Sequence, residues 1–464
     1  MGDEMEKNEG NEIDWNDVIR DLERTAKSLP KNHSSARKSG TSKEGDKPAP
    51  EPRRRIAKCP APASATSFED WRRTIEANFP DLFPAAEAAL SIVTQFLIKD
   101  ITNPFALVFV DVPSSGKTIA INFFANIPEL TYPTDKFTPA SFVSNAANVK
   151  KKDLADIDLL PRIQYRMLLI RDFATLFSKR DDDLNELLGI LTRVLDGEGL
   201  NTDSGVHGQR EYVGEYLFMM LGASTPIPPK VWKLMGNLGS RLFFLGTNSR
   251  DKSEQELVEQ VSGTSFKAKE IACQEATRNL IYTLWNTYID GIEWDKGSDS
   301  KEILTTIVRC SKLLANLRGV INVWRDDFQD TYSYQAPVIE RPDRINQLLT
   351  NFARGHAVAC GRTQISLDDL RPIIAVILDS AQYTRSKLFK ALIAHGGTMR
   401  TSEVEKELKV TKPAALSRMK ELELLGICDL SEAGEHEIAL SSEFDWFLSD
   451  EFQLLRGGRP IKQI

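Results

Sequence analysis

The apolar residues between positions 105 and 247 alternate between short unbroken runs and helical spacing. The runs have the length of buried strands, and the segments between them repeat apolar residues every three or four positions. This alternation predicts an α/β layer with a parallel sheet and helices on both faces. The predicted strands cover residues 105–110, 166–172, 215–221 and 242–247.

Beyond residue 248 the apolar spacing becomes helical and predicts an all-α lid, with helices over 265–292, 301–325 and 341–357 and another ending near 380. From residue 382 onward, three short helical patterns precede two strand patterns that flank a Glu-Ala-Gly turn. Three helices and a two-stranded wing are typical of a winged helix-turn-helix, whose third helix enters a DNA groove. The residues that this third helix offers to DNA are Lys412, Ser417, Arg418 and Lys420.

The domain prediction has four parts. Residues 1–65 are rich in Asn, Glu, Lys, Ser and Pro and predict a disordered tail or linker. Residues 66–250 form the α/β core, 251–381 the helical lid and 382–464 the winged helix. Acidic and basic residues nearly balance in this last part, so protein docking remains an alternative to DNA binding.

The composition bears on whether the protein binds nucleic acid by charge, contains disulfides or a structural metal, or enters a membrane. The chain has 464 residues and a net charge of −7, which does not mark it as a nucleic-acid binder by charge alone. Its five cysteines are scattered without a CxxC pair, which predicts a reduced cytoplasmic protein without a structural metal. The acidic N-terminus resembles no signal peptide, and we expect no membrane span.

The segment 105–118, FALVFVDVPSSGKT, carries the clearest chemistry. A strand that leads through GxxxxGK[ST] into a helix surrounds phosphates with backbone N–H groups, while the Lys contacts phosphate oxygens and the hydroxyl binds Mg²⁺. Asp111 stands where the pattern has its first Gly. We therefore expect ATP and Mg²⁺ as ligands, and the predicted contact residues are Pro113, Ser114, Ser115, Gly116, Lys117 and Thr118.

Asp172 follows the second strand and is placed to hold Mg²⁺ together with Thr118. A Glu that polarises water usually comes next, but Phe173 occupies that position. Either another carboxylate acts as the base or turnover is slow and the protein is a switch. The alternative carboxylates are Asp181, Asp182, Asp183, Asp196 and Glu198.

Three further sets of residues are suited to ATP hydrolysis or to contact with DNA. Ser224 and Thr225 end the third strand, where a hydroxyl can hold the attacking water. Arg241 stands between a helix end and a strand and can serve a neighbouring subunit as an arginine finger. The turn-rich segment 197–213 predicts a hairpin whose tip carries His207 and Arg210.

This order of motifs resembles the core of AAA+ P-loop ATPases. It is most similar to the branch of the minichromosome-maintenance helicases and magnesium chelatases and to phage and plasmid replicative ATPases. The resemblance covers about residues 105–247 and implies sensor 1 at Ser224 or Thr225, an arginine finger at Arg241 and a DNA-gripping hairpin at 201–210. The lid is also similar, and it implies that Arg344 acts as sensor 2 on the γ-phosphate of its own subunit.

The sequence therefore predicts an ATP-binding AAA+ type protein that forms a ring or partial ring of identical subunits and acts on DNA. The first alternative is a nucleotide-gated regulatory or defence switch. The second is a winged-helix transcription regulator with a degenerate ATPase core. The missing first Gly and the missing Glu distinguish this chain from rapid ATPases and bear on turnover more than on nucleotide binding.

Overall fold

A computed structural model describes residues 54–144, 150, 153–205, 208–239, 241–247, 251–262, 265–326, 331–431 and 435–457. They belong to one compact unit. Residues 54–65, which the sequence assigns to the tail, pack against the core: Arg55 bonds Glu215 at 2.9 Å, and Cys59 is buried. No helix in the described ranges is long and apolar enough to cross a membrane.

The first half of the described chain alternates helices and strands, as the sequence predicts. Its elements are α1 Phe68–Asn78, α2 Phe83–Val93, β1 Ala106–Val110, α3 Lys117–Asn122, β2 Thr131–Thr134, α4 Pro139–Phe142, α5 Leu154–Ile157, α6 Leu159–Ile163, β3 Met167–Ile170, α7 Ala174–Phe177, α8 Asp181–Val194, β4 Gly199–Thr202, β5 Arg210–Val213, β6 Met219–Ser224, α9 Pro229–Leu238 and β7 Leu242–Gly246.

The second half is mainly helical. Its elements are α10 Glu254–Ser262, α11 Phe266–Thr287, α12 Lys301–Arg318, β8 Val323–Asp326, β9 Thr331–Tyr334, α13 Asp343–Ala359, α14 Leu370–Asp379, α15 Tyr383–Ala394, β10 Thr398–Arg400, α16 Thr401–Leu408, α17 Lys412–Leu424, β11 Cys428–Ser431, β12 Glu437–Leu440 and α18 Asp450–Leu455.

A parallel five-stranded sheet in the order β2-β3-β6-β1-β7 organises the first half. Its residues are buried on both faces: Leu107 and Phe109 of β1 belong to one apolar core, and Ala106 and Val108 belong to the other. Such double burial requires the continuous apolar runs seen in the sequence. The predicted α/β class with a parallel sheet is therefore confirmed.

Helices from the second half cover the outer edge of this sheet. Phe244 and Gly246 of β7 donate their N–H groups to Ser380 Oγ and Asp379 Oδ2, both at 2.8 Å. The buried Arg318 donates to the Leu242 carbonyl at 2.7 Å. These side chains satisfy backbone groups that an edge strand otherwise leaves unpaired. The helical region is thereby bonded directly to the sheet.

The C-terminal segment forms three helices, α15 to α17, and an antiparallel sheet in the order β10-β12-β11. It contacts the end of α12, where Asn316 Nδ2 donates to the Leu425 carbonyl at 2.9 Å. A Cβ on Gly319 would lie 2.5 Å from a Leu425 methyl group. The helix predicted over 301–325 ends at Arg318, just before this close approach, and residues 323–325 belong to strand β8 instead.

Helices α2 and α13 approach so closely at Gly355 that a Cβ there would lie 2.0 Å from the Ser91 carbonyl oxygen. We expect Gly355→Ala to lower the free energy of unfolding by about 1–3 kcal/mol, because the helices must separate. Gly189→Ala in α8 is the matched control, since no atom lies within 4 Å of its added Cβ. Urea unfolding compares the two; equal effects would contradict the close packing.

His356 in α13 lies between two carboxylates, with Nδ1 2.5 Å from Asp369 Oδ1 and Nε2 3.2 Å from Glu87 Oε1. Burial by itself lowers the pKa of His356, but the hydrogen bonds to Asp369, Cys360 and Glu87 outweigh burial and raise it well above its usual range. The charged imidazole therefore connects α2, α13 and the start of α14.

Because the folded-state pKa of His356 exceeds the unfolded value of about 6.5, its stabilisation is complete below that pH and is lost as the pH rises through the raised pKa. We expect His356→Gln to reduce the free energy of unfolding most near pH 6 and progressively less at alkaline pH. Urea unfolding across pH measures this difference. His395→Gln is the control, and a pH-independent His356→Gln effect would contradict the assignment.

Candidate nucleotide-binding site

The loop between β1 and α3 has the backbone of an anion-binding turn. Ser114 and Gly116 have positive φ angles of 66° and 90°. Left-handed residues within a turn can point neighbouring N–H groups into one concavity that binds an anion. A Cβ at Gly116 would lie 3.0 Å from a Leu82 methyl group, so both the left-handed backbone and this contact favour glycine.

Lys117 lies across this concavity. Its Nζ donates to the carbonyl oxygens of Asp111 and Val112 at 2.8 and 2.6 Å and to Ser115 Oγ at 2.9 Å. Burial lowers the pKa of Lys117, and the charge of Asp111 opposes this effect. The side chain is 8% exposed, whereas Thr118 beside it is exposed. A bound phosphate would compete for the same ammonium group.

Asp111, at the position of the missing glycine, turns its carboxylate to other partners. Oδ1 accepts from the Val112 N–H at 2.7 Å, and Oδ2 accepts from Thr247 Oγ1 at 2.6 Å. Thr247 directly follows β7, so Asp111 connects the loop to the adjacent strand. The sequence analysis missed Thr247, although Thr247 directly follows β7 much as Ser224 ends β6.

Asp172 and Phe173 follow β3 with different roles. Asp172 is exposed, and its Oδ1 accepts from the N–H of Ala174, the first residue of α7, at 2.9 Å. Phe173 is buried, and a Cβ on Gly222 would lie 2.3 Å from its ring. The position expected to hold a catalytic Glu therefore belongs to the apolar core.

The strand register brings the predicted polar residues to one edge of the sheet. Val110 pairs with Ser224, and the Asp111 N–H donates to the Ser224 carbonyl at 3.3 Å. The Phe173 N–H donates to the Ala223 carbonyl at 2.6 Å, which places Asp172 beside Ser224. With strands about 4.8 Å apart, the loop and Asp172 are separated by roughly 10 Å. Ser224 is buried, and Thr225 is exposed.

The alternative carboxylates fall into two groups. Asp181, Asp182 and Asp183 are exposed in the first turn of α8, near the carboxyl edge of the sheet. Asp196 and Glu198 follow α8, whose 14 residues span about 21 Å, and they pair with arginines. The first group therefore lies closer to Asp172 along the chain path than the second.

Arg241 precedes β7 and lies at the opposite, amino edge of the sheet. Its Nε and Nη2 donate to Asp196 Oδ1 at 3.1 and 2.9 Å, and only 7% of the residue is exposed. A Cβ on Gly239 would lie 3.6 Å from Arg241 Nη1 and 3.9 Å from Arg344 Nη1, so the two guanidinium groups are neighbours. Burial lowers the pKa of Arg241, although the carboxylate of Asp196 opposes this effect.

This placement differs from the predicted action of Arg344 on its own subunit's nucleotide. The strand β7 separates Arg241 and Arg344 from the edge that carries the phosphate loop, and its five residues span about 13 Å. Neither arginine contacts the loop within the described structure. An arginine finger at Arg241 remains a prediction that requires its pair with Asp196 to open.

The hairpin forms, but Arg210, which directly follows its turn, is buried. Thr202, the last residue of β4, pairs with Arg210, the first residue of β5. Arg210 is 7% exposed and donates to the fully buried Asp158 and to the Ser144 carbonyl. Tyr212 Oη also donates to Asp158, at 2.6 Å. Arg210 therefore holds the turn end of the hairpin against Asp158 and Ser144. Its burial corrects the expectation of an exposed residue that grips DNA; His207 lies outside the described residues.

Two of the three cations of α17 have carboxylate partners on the same helix. Arg418 pairs with Glu421, and Lys420 pairs with Glu423 at 2.5 Å. Lys412 is exposed at the start of the helix, and Ser417 is half-buried. The DNA contacts expected of these four residues remain predictions.

One other cluster within the described residues has potential metal ligands, formed by His356, Cys360 and Asp369 within 4.8 Å of one another. The Arg362 guanidinium group donates two hydrogen bonds to the Asp369 carboxylate, of 2.7 and 2.8 Å. This positive charge disfavours a cation at the cluster and supports an ionic hydrogen-bond network instead.

No protein-family model matches the sequence, and no curated protein matches it. Among solved structures, the A-form apo structure of the NrS-1 C-terminal region has a TM-score of 0.28 at 10% sequence identity, covering 92% of this chain and 90% of that chain. A second apo structure of the same region has a TM-score of 0.28 at 10% identity and covers 92% and 89%. At these TM-scores the likeness carries no argument about fold or function.

Proposed function

We propose that this protein is an AAA+ type P-loop ATPase that binds ATP with Mg²⁺, assembles as a homo-oligomer and acts on DNA. The observation that carries the proposal is the loop from Asp111 to Thr118, with left-handed backbone at Ser114 and Gly116 and the buried Lys117, at the carboxyl end of β1. The chain leads from β1 to β2 at one edge of the sheet and from the neighbouring β6 to β7 at the other edge. In open parallel sheets, ligands bind at such a switch point.

The residues at this edge of the sheet have separate proposed roles in binding phosphate, Mg²⁺ and water. Lys117 releases its three hydrogen-bond acceptors in the loop and binds phosphate oxygens instead. The N–H groups of residues 114–118 bind the remaining phosphate oxygens. Thr118 and Asp172 hold Mg²⁺, which neutralises charge on the phosphates. Ser224, or the exposed Thr225, orients the attacking water. Asp111 contributes no ligand, because its carboxylate is bonded to Val112 and Thr247.

The arginines at the amino edge act on a neighbouring subunit in this proposal. Arg241 and Arg344 lie together about one strand length from their own loop, so a ring or partial ring is required for either to reach a phosphate. A guanidinium group stabilises the charge that develops during phosphoryl transfer. Entry of the neighbour's nucleotide replaces Asp196 as the partner of Arg241.

The C-terminal segment is proposed to be a winged helix that contacts DNA. The support is the sequence of α15, β10, α16 and α17 followed by the β11–β12 hairpin, with β10 completing the small sheet. The boundaries proposed for the domains remain 66–250, 251–381 and 382–464. A docking role for protein partners is the alternative within this segment, since Arg418 and Lys420 are paired with carboxylates.

Two observations favour a nucleotide-gated switch as the second candidate function. Phe173 replaces the expected Glu and is buried, so rapid hydrolysis needs a base from elsewhere. A chain of contacts also connects the loop to α15: Thr247 bonds Asp111, and Asp379 bonds both the Gly246 N–H and Lys390 Nζ, the latter at 2.5 Å. Phosphate binding at the loop can shift α15 through this path.

Steady-state ATP hydrolysis with and without single-stranded DNA separates the two candidates. A motor predicts turnover that rises severalfold with DNA and disappears in Lys117→Ala. A switch predicts tight ATP binding, negligible turnover and DNA or protein binding that depends on nucleotide. Sequence-specific duplex binding that Lys117→Ala leaves unchanged would contradict both.

A further inference from the structure

A polar groove of about 400 Å³ lies beside β2, the edge strand farthest from β7. Thr134 ends β2 at the same edge of the sheet as the phosphate loop. Three strand spacings, about 14 Å, separate β2 from β1, so the groove is distinct from the nucleotide site. The polar residues that line it are Tyr132, Thr134, Lys136, Thr138, Ser141, Ser144 and Arg162.

The lining is cationic. Lys136 is exposed, and the Arg162 guanidinium lies over the Tyr132 ring with Cζ 5.1 Å from the ring centroid. Arg162 also donates to Tyr132 Oη. The described part of the chain contributes no carboxylate to the lining, and the nearby Asp135 pairs with Arg171 at 3.6 Å. The groove therefore favours an anionic ligand.

The groove is also joined to the hairpin of β4 and β5. Ser144 lines the groove, and its N–H donates to Asp158 Oδ1 at 2.7 Å. Arg210, beside the turn of the hairpin, donates to both Asp158 and the Ser144 carbonyl. A displacement of the hairpin therefore moves one wall of the groove.

We infer that this groove binds the sugar–phosphate backbone of single-stranded DNA, with Lys136 and Arg162 contacting phosphates and Tyr132 contacting a base or sugar. The inference rests on the proposed action on DNA and names the site of that contact. Cations interleaved with an aromatic ring and hydroxyl groups are typical of sequence-tolerant single-strand binding. The size of the groove suits one or two nucleotides at a time rather than a duplex.

Fluorescence anisotropy of a labelled oligothymidylate with the full-length protein tests the inference at low and moderate salt. Lys136→Ala/Arg162→Gln is expected to weaken binding at least about tenfold at low salt. The slope of log affinity against log salt should fall by about 1.4, because each phosphate contact on a single strand contributes about 0.7. The control is Lys301→Ala/Arg371→Gln, two exposed cations outside the groove, with affinity expected within about twofold.

Lys136→Ala alone keeps the Arg162–Tyr132 contact and is expected to reduce the slope by about 0.7. Unchanged affinity and slope in both groove variants would overturn the inference, as would absence of single-strand binding by the wild type. Equally strong competition by duplex DNA or by an acidic polypeptide would also overturn it. ATP affinity, measured in parallel, distinguishes this failure from failure of the proposed nucleotide site.

Discussion

Lys117→Ala is expected to weaken ATP binding by at least about 100-fold, which corresponds to roughly 3 kcal/mol. The ammonium group is nearly buried beside the loop, where charge-assisted hydrogen bonds to phosphate are each worth about 1.5–3 kcal/mol. The substitution also removes the three bonds that Lys117 makes to Asp111, Val112 and Ser115. Titration with a fluorescent ATP analogue in Mg²⁺ measures the change.

The matched control is Lys230→Ala, which removes an exposed lysine that bonds Asp181 at 3.0 Å. Its ATP affinity is expected to stay within about twofold, because surface pairs of this kind contribute little. A Lys117→Ala protein that melts like the wild type and binds ATP with undiminished affinity would exclude Lys117 as a phosphate ligand.

Arg210→Met is expected to lower the free energy of unfolding by about 3–5 kcal/mol, because it leaves the Asp158 carboxylate buried without its cation. Asp158 is fully buried and accepts from Arg210, Tyr212 and the Ser144 N–H. Urea unfolding measures the loss.

The comparison variant is Arg193→Met, which breaks an exposed pair with Glu198 and is expected to cost less than about 1 kcal/mol. Adding Asp158→Asn to Arg210→Met should recover part of the loss, since the unpaired charge is then absent. Equal effects of the two arginine substitutions would show that Arg210 does not anchor the hairpin.

The sequence is sufficient to predict the strands and helices that follow from the local pattern of apolar residues. The strands around β1, β3, β6 and β7 are continuous apolar runs, and the helices of the second half follow helical periodicity. The short strands β2 and β10 were not predicted. The residues of β2, Thr-Tyr-Pro-Thr, include a proline and show no alternation of apolar and polar positions. Only their pairing with β3 identifies them as a strand.

The candidate site was predictable where chemistry is local and not where distant residues meet. The loop from Ser114 to Thr118 follows from its order of residues. The bond between Thr247 and Asp111 joins positions 136 residues apart. The pairs Arg241–Asp196 and Arg210–Asp158 join positions 45 and 52 residues apart. The sequence pattern assigns both arginines exposed roles, whereas both arginines are buried and paired with a carboxylate that is distant in sequence.

Calorimetric titration of the folded wild-type protein with ATP in the presence of Mg²⁺ tests the central claim most directly. The account predicts saturable uptake of about one nucleotide per chain and loss of that uptake when Mg²⁺ and Lys117 are both removed. Protein that is folded by circular dichroism yet takes up neither adenine nor guanine nucleotides would contradict it.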